Sequence, residues 1–130
     1  MNYGYTKQVA LSFTDTVRKT KEELAKEGFG ILTEIDVKAT LKKKLGADWD
    51  NYMILGACNP ALSYRALQAE KEIGLLLPCN VIVYEDRGSV FVSVILPTAA
   101  MQMVDNEDIT AIGREVESKL RTVVNGISNE

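Results

Sequence analysis

The chain contains no histidine and few residues of several other kinds. Without histidine it lacks the usual general base, the usual pH switch near neutrality and the commonest metal ligand. It has only three prolines and nine glycines among 130 residues, which excludes collagen-like and linker-like classes. Its apolar runs are short, whereas a membrane-spanning helix needs roughly 20 apolar residues. We therefore expect no membrane span and no membrane partner.

The overall composition is that of a folded domain. Hydrophobic residues make up 46% of the chain and charged residues 25%, with a net charge of −3. This balance excludes intrinsic disorder, which requires low hydrophobicity and high net charge. The sequence pI of about 5.1 argues against a nucleic-acid partner. The length predicts a single domain over residues 1–130.

The N-terminal residues and the cysteine count bear on location. Residues 1–5 have no basic segment followed by an apolar core, so they do not resemble a signal peptide. The sequence therefore predicts a cytoplasmic protein. In that reducing compartment the two cysteines are expected to be free thiols.

Hydrophobic periodicity predicts the element order β-α-β-α-β-α-β-β-α. The predicted strands cover residues 3–13, 29–35, 52–57, 79–85 and 89–96. The predicted helices cover residues 14–27, 37–45, 60–71 and 106–125, with one or two further helical turns in 98–103. The inner face of the first helix is assigned to Val17, Lys21, Leu24 and Ala25, and the strand at 52–57 is expected to be buried on both faces.

The clearest periodicity belongs to the last helix. Seven apolar residues recur there at helical spacing: Ile109, Ile112, Val116, Leu120, Val123, Val124 and Ile127. Asp86-Arg87-Gly88 predicts a hairpin turn, so at least two strands are antiparallel. Together these features favour an α+β fold with a single mixed or antiparallel sheet and helices packed on one face.

A repeated Cys-Asn pair is the most unusual feature of the sequence. Cys58-Asn59 directly precedes Pro60, and Cys79-Asn80 opens a predicted strand. Asparagine is a preferred N-cap residue and proline is favoured in the first helical position, so a helix begins here. A helix N-terminus stabilises a thiolate, so we expect Cys58 to be the more acidic thiol. The alternative is that both cysteines are small buried apolar residues, as most free cysteines are.

Other chemistries find little support. Two cysteines 21 residues apart, without histidine, do not make a structural zinc site, so no metal is expected. No CxxC motif, Walker loop or complete nucleophilic triad occurs. An enzyme would have to use a thiolate, a lysine, or a carboxylate such as Glu34 or Asp36. The sequence leaves enzymatic activity open and identifies no cofactor.

Four segments resemble motifs of the domain of unknown function 302 family: residues 28–37, 55–60, 66–67 and 73–81. The resemblance covers nearly the whole chain, and the Cys-Asn pairs fall within these motifs. It implies an α+β fold similar to the TATA-box-binding-protein class, with a curved antiparallel sheet backed by helices, often as a homodimer. It implies no established activity. DNA binding does not follow from such a fold, because fold does not determine function.

Two functional hypotheses follow. In the first, the chain is a small-molecule-binding domain with a thiol-containing pocket between the sheet and the helix at 60–71. Its site residues are Cys58, Asn59, Pro60, Cys79 and Asn80, and residues 75–77 form an apolar wall. In the second, the chain is a structural or interaction module that forms a homodimer and binds no ligand.

Overall fold

Five strands form one fully antiparallel sheet in the order β1-β5-β4-β3-β2. The computed structural model describes residues 2–127. The strands are β1 (Gly4–Val9), β2 (Gly30–Asp36), β3 (Tyr52–Cys58), β4 (Cys79–Asp86) and β5 (Ser89–Ile95). The helices are α1 (Phe13–Lys26), α2 (Val37–Leu45), α3 (Pro60–Ala69), α4 (Pro97–Ala100) and α5 (Glu107–Asn125). Two 3-10 helices follow α3 and α4, at Lys71–Leu76 and Met101–Met103.

The core lies between one face of the sheet, called the inner face, and helices α1, α3 and α5. Alternate residues of the three central strands point to this face and are buried: Leu55, Ala57, Cys79, Val81, Val83, Val90, Val92 and Val94. They belong to one continuous cluster that also contains buried residues of α1, α3 and α5. Period-two alternation explains this pattern, because successive side chains of a strand point to opposite faces.

Helix α5 follows its sequence pattern closely. All seven residues of the predicted apolar stripe are buried, six of them within the helix and Ile127 just beyond its end. Asn106 is the N-cap, and its side-chain oxygen accepts hydrogen bonds from the backbone N–H groups of Asp108 (3.0 Å) and Ile109 (3.3 Å). Gly126 ends the helix. The predicted helix and its buried face are confirmed.

Strand β1 is shorter than predicted. It ends at Val9, and Phe13, predicted to close the strand, is the first residue of α1. The Ser12 side chain accepts a hydrogen bond from Asp15 N (3.1 Å) and so caps the helix just before Phe13. The local cap outweighs the apolar alternation that continues to Phe13.

The inner face of α1 also differs from the prediction. Its buried residues are Thr16, Thr20, Glu23 and Leu24, whereas Ala25 is exposed and Val17 is half-buried. The Thr16 and Thr20 hydroxyls donate to the carbonyl oxygens four residues earlier, at 2.8 and 2.7 Å. Because these bonds satisfy the hydroxyls, threonine can be buried where a search for apolar residues does not expect it.

Two strands also deviate from the expected burial. In β2 the pairing with β3 shifts between Ile31 and Thr33, so the two residues lie on opposite faces although their spacing predicts one face. In β3 only residues 55–57 are buried and residues 52–54 are half-buried, so burial on both faces is wrong for the first half of the strand.

The segment between α3 and β4 is more ordered than a simple connector. The predicted helix at 60–71 ends at Ala69, and a 3-10 helix follows in which the Glu70 side chain accepts from Glu72 N (3.4 Å). The predicted hairpin is present, with positive φ at both Arg87 and Gly88. Positive φ at both central residues is the backbone that a two-residue hairpin turn requires.

The α+β fold is confirmed, and every pairing in the sheet is antiparallel. Within residues 2–127, no helix combines the length and the apolar character needed to cross a membrane.

Truncating the centre of the α5 stripe tests this packing. Leu120 is 0% exposed, and we expect Leu120→Ala to lower the free energy of unfolding by about 2–5 kcal/mol. Leu45→Ala is the control, because Leu45 is 75% exposed and its loss should change stability by less than about 0.5 kcal/mol. Urea denaturation followed by circular dichroism measures both. Equal, small losses in the two variants would contradict the packing described here.

Candidate functional site

The sheet brings the two Cys-Asn pairs to the same end of neighbouring strands. Strand β3 ends at Cys58 and strand β4 begins at Cys79, and the antiparallel register places Ala57 opposite Cys79. The chain returns to this end because α3 and the following 3-10 helix carry it away from β3 and back. The two cysteines are therefore neighbours in space although they are 21 positions apart in the chain.

Cys58 lies at the start of α3. It is half-buried, and its Sγ lies 3.1 Å from the Ser63 Oγ in a hydrogen bond that either atom can donate. Ser63 in turn donates its backbone N–H to the carbonyl oxygen of Asn59 (2.9 Å). The thiol is thus held against the first turn of the helix.

Cys79 has a different environment. It is buried on the inner face of the sheet, and burial raises the pKa of its thiol to about 11, with a smaller contribution from the nearby Cys58. At neutral pH Cys79 is therefore a neutral thiol with weak hydrogen-bonding capacity. It is suited to lining a cavity and poorly suited to nucleophilic attack.

Asn59 has a structural role. Its side-chain oxygen accepts from Leu62 N (3.4 Å), which caps α3, and its Nδ2 donates to the Glu27 carbonyl oxygen (3.2 Å), which joins α3 to the end of α1. Gly28 packs beside this amide at a φ of +85°, and a Cβ there would lie 3.2 Å from Nδ2. The Asn59 amide, which the sequence assigns to ligand binding, thus forms hydrogen bonds within the protein instead.

Pro60 and Asn80 complete the predicted set. Pro60 is exposed in the first turn of α3, where it fixes the helix start. Asn80 is exposed opposite Gly56, and among the described residues its amide forms no hydrogen bond. Of the predicted polar groups, Asn80 is the amide available to a ligand.

Two cavities adjoin Cys79. The larger has a volume of about 240 Å³ and opens between the two 3-10 segments and the ends of β4 and β5. Its lining is apolar apart from Cys79 and Asn80: Leu75, Leu76, Leu77, Pro78, Ile95, Pro97, Ala100 and Met101. We call it the thiol cavity.

The second space is a void of about 20 Å³ between α3, α5 and the sheet, lined in part by Cys79, Asn59 and Ser63. It is close to the minimum that holds one water molecule. Cys58 and Pro60 line neither space. The structure thus brings Cys79 and Asn80 to one cavity, and leaves Cys58, Asn59 and Pro60 outside it.

A further groove, which the sequence analysis did not identify, runs between the segment 98–106 and the first half of α5. It has a volume of about 740 Å³ and is lined by Thr98, Met101, Gln102, Val104, Asp105, Asn106, Glu107, Ile109, Thr110, Gly113 and Arg114. We call it the α5 groove. The available signal was the polar stripe of α5 at residues 107, 110 and 114, which is indistinguishable in sequence from a solvated helix face.

A carboxylate holds α4 in place between the groove and the thiol cavity. Glu117 accepts hydrogen bonds from Thr98 N (3.1 Å) and Thr98 Oγ1 (2.5 Å), and it pairs with Arg121 (3.5 Å). Burial raises the pKa of the Glu117 carboxyl, but the hydrogen bonds and the charge of Arg121 outweigh this, so its pKa lies below the ordinary value. The ionised form therefore anchors α4 at neutral pH.

The described part of the chain offers no metal centre. In residues 2–127, cysteine, aspartate and glutamate side chains nowhere form a group of three or more that would hold a metal ion.

Comparisons with known proteins agree with this architecture. The chain matches the family described as domain of unknown function DUF302 over residues 5–127. The crystal structure of an uncharacterised conserved DUF302 protein from Bacillus stearothermophilus is similar, with a TM-score of 0.90 and 28% sequence identity. The similarity covers 96% of this chain and 98% of that one. No match was found among curated proteins.

The fold defines an α+β domain with one antiparallel sheet and a helix-covered inner face. The chain belongs to the DUF302 family, whose name records a domain of unknown function. This confirms the resemblance found in the sequence motifs.

The raised pKa of Cys79 makes stability depend on pH in the alkaline range. Between about pH 9 and pH 11 the thiol ionises in the unfolded chain but stays protonated in the folded one. The unfolded state then binds fewer protons, so this residue makes stability fall as pH rises, by of order 1 kcal/mol per pH unit. We expect Cys79→Ala to lose this component of the slope. Urea denaturation of both proteins from pH 8 to pH 11 measures the difference, and parallel slopes would contradict burial of the thiol.

Proposed function

We propose that this chain is a small-molecule-binding domain whose site is the thiol cavity. The observation that carries the proposal is the apolar lining, in which Cys79 and Asn80 are the residues with polar side chains. Such a lining with few polar groups is typical of ligand sites, which usually measure about 300–1,000 Å³. At about 240 Å³ the cavity suits a ligand smaller than most drug-like molecules.

The polar groups restrict the class of ligand. The raised pKa of the Cys79 thiol keeps it neutral, so the cavity presents no charge to a ligand and favours an uncharged molecule. Asn80 also lines the cavity, and its amide offers both a donor and an acceptor. A small aromatic or aliphatic molecule with one polar group fits these features. The neutral thiol favours reversible binding over thiolate chemistry.

Indole is a suitable probe, because it is apolar, uncharged and carries one N–H donor. We expect saturable NMR shifts in residues 75–80 and 95–101 of the isotope-labelled protein. Ala100→Phe should abolish them by filling the cavity. Asn80→Ala should weaken binding about fivefold, since a net hydrogen bond contributes about 1 kcal/mol.

Ala111→Phe is the matched control, because Ala111 is exposed on α5 and does not line the thiol cavity. It should leave indole binding unchanged. Shifts that persist in Ala100→Phe, or that do not saturate in the wild type, would disprove the proposal.

A second candidate function is homodimerisation through the outer face of the sheet. Its central strands carry an uncharged surface: Tyr52, Ile54, Gly56, Asn80, Ile82, Tyr84, Phe91, Ser93 and Ile95. The rings of Tyr84 and Tyr52 stack with centroids 5.6 Å apart, and those of Tyr84 and Phe91 at 5.2 Å. These aromatic side chains are half-buried, unlike the buried valines of the inner face.

A second copy of the chain is the partner that this face favours. Two copies of an uncharged surface meet without like-charge repulsion, and aromatic residues are enriched in interface cores. The sequence motifs also resemble a family in which homodimers are expected.

Sedimentation velocity at micromolar concentration tests this second function. We expect a species of twice 14.4 kDa for the wild type and a monomer for Tyr84→Lys, because a buried unpaired charge opposes association. Tyr64→Lys is the control, since Tyr64 is 66% exposed on α3 and outside the sheet. A wild type that sediments only at 14.4 kDa would contradict dimerisation, and circular dichroism checks that each variant is folded.

A further inference from the structure

The α5 groove carries charges of both signs along one side. Glu107, Thr110 and Arg114 line it from α5, and their spacing of three and four residues places them on one face of the helix. Asp105 lies beside Glu107 at the acidic end. The rise from residue 107 to residue 114 is about 10 Å, at about 1.5 Å per residue. The groove thus has an acidic end and a basic end.

These charges are not used by the fold. Among the described residues, Asp105, Glu107 and Arg114 form no ion pair with any side chain. The carboxylates that neighbour Arg114 in sequence are engaged elsewhere: Glu115 pairs with Arg65 (2.9 Å) and Glu117 with Arg121 (3.5 Å). Arg114 is therefore left with a free guanidinium at the groove.

The helix dipole explains only part of this arrangement. Acidic residues near the start of α5 are stabilised by its N-terminus. That effect does not account for Arg114 or for Gln102, which lines the same groove and whose amide forms no hydrogen bond within residues 2–127. The floor between the two ends is apolar, formed by Met101, Val104 and Ile109.

We propose that the α5 groove binds a short zwitterionic peptide. The ammonium group lies at Asp105 and Glu107, and the carboxylate lies at Arg114, which offers a planar fork of donors to it. Gln102 and Thr110 form hydrogen bonds with the peptide backbone. Thr110 already donates its hydroxyl hydrogen to the Asn106 carbonyl oxygen (3.2 Å), so its oxygen remains an acceptor. An extended tripeptide spans about 10 Å, which matches the separation of the charged ends.

The probes are trialanine and its two blocked forms, acetyl-trialanine and trialanine amide. We expect NMR titration of the full chain to show saturable shifts in residues 98–114 with trialanine. Each block should weaken binding about three- to fivefold, the effect of losing one partly exposed ion pair. Dialanine should bind more weakly than trialanine because it is too short to reach both ends.

Two variants assign each end of the peptide. Glu107→Gln should weaken binding of trialanine but leave acetyl-trialanine unchanged, because that probe has no ammonium group. Arg114→Gln should weaken trialanine but leave trialanine amide unchanged. Glu115→Gln and Lys119→Gln are matched controls, since each removes one charge from α5 outside the groove, and both should leave the titration unaltered.

Several results would overturn the proposal. If trialanine binds no more tightly than acetyl-trialanine and trialanine amide, the groove does not recognise the peptide termini. Equal losses for the blocked and free probes in Glu107→Gln would show a structural effect and not a contact with the ammonium. This site is independent of the thiol cavity: Ala100→Phe should abolish indole binding and leave trialanine binding intact, so either proposal can fail alone.

Discussion

The packing of α5 on the inner face of the sheet is the contact on which the rest of the structure depends. The buried α5 stripe packs on β5 and β1, and α1 and α3 pack against the sides of α5. Strand β1 is tied to the end of the same helix, because Lys7 Nζ donates to the Ile127 carbonyl oxygen (2.6 Å) and Tyr5 OH to Asn125 Oδ1 (2.7 Å). The α5 groove borders this helix, and the thiol cavity borders the ends of β4 and β5 in the sheet on which the helices pack. The shape of each site therefore depends on the packing of the helices on the sheet.

The sequence predicts those parts of the fold that depend on apolar spacing and local caps. It identifies α5, the helix start at Asn59-Pro60 and the hairpin at Arg87-Gly88, because each is specified by residues close together in the chain. It misses the inner face of α1, where the Thr16 and Thr20 hydroxyls donate hydrogen bonds to backbone carbonyl oxygens and can therefore be buried. It also misses the pairing shift in β2, which follows from how β2 meets β3 and has no marker in its own residues.

The site was predictable to a similar extent. The repeated Cys-Asn pair marks two chain segments that the sheet does bring together, and the element order alone makes this arrangement possible. The sequence does not show which contacts each of these side chains makes in the folded protein. The Asn59 amide donates a hydrogen bond to the carbonyl oxygen of Glu27, 32 positions away in the chain, and only the folded chain shows that contact. The α5 groove could not be predicted for the same reason. Which charged side chains are unpaired is known only once the ion pairs around them are known.

Burial of Cys79 decides which chemistry the thiol cavity supports. Sequence reasoning centres on the thiolate that a helix N-terminus would favour at Cys58, yet Cys58 does not line the cavity. The thiol that does line it has a pKa of about 11, so it contributes volume and weak polarity and no charge. Met101 borders both this cavity and the α5 groove. One short segment, anchored through Thr98 to Glu117, therefore separates an uncharged site from a charged one.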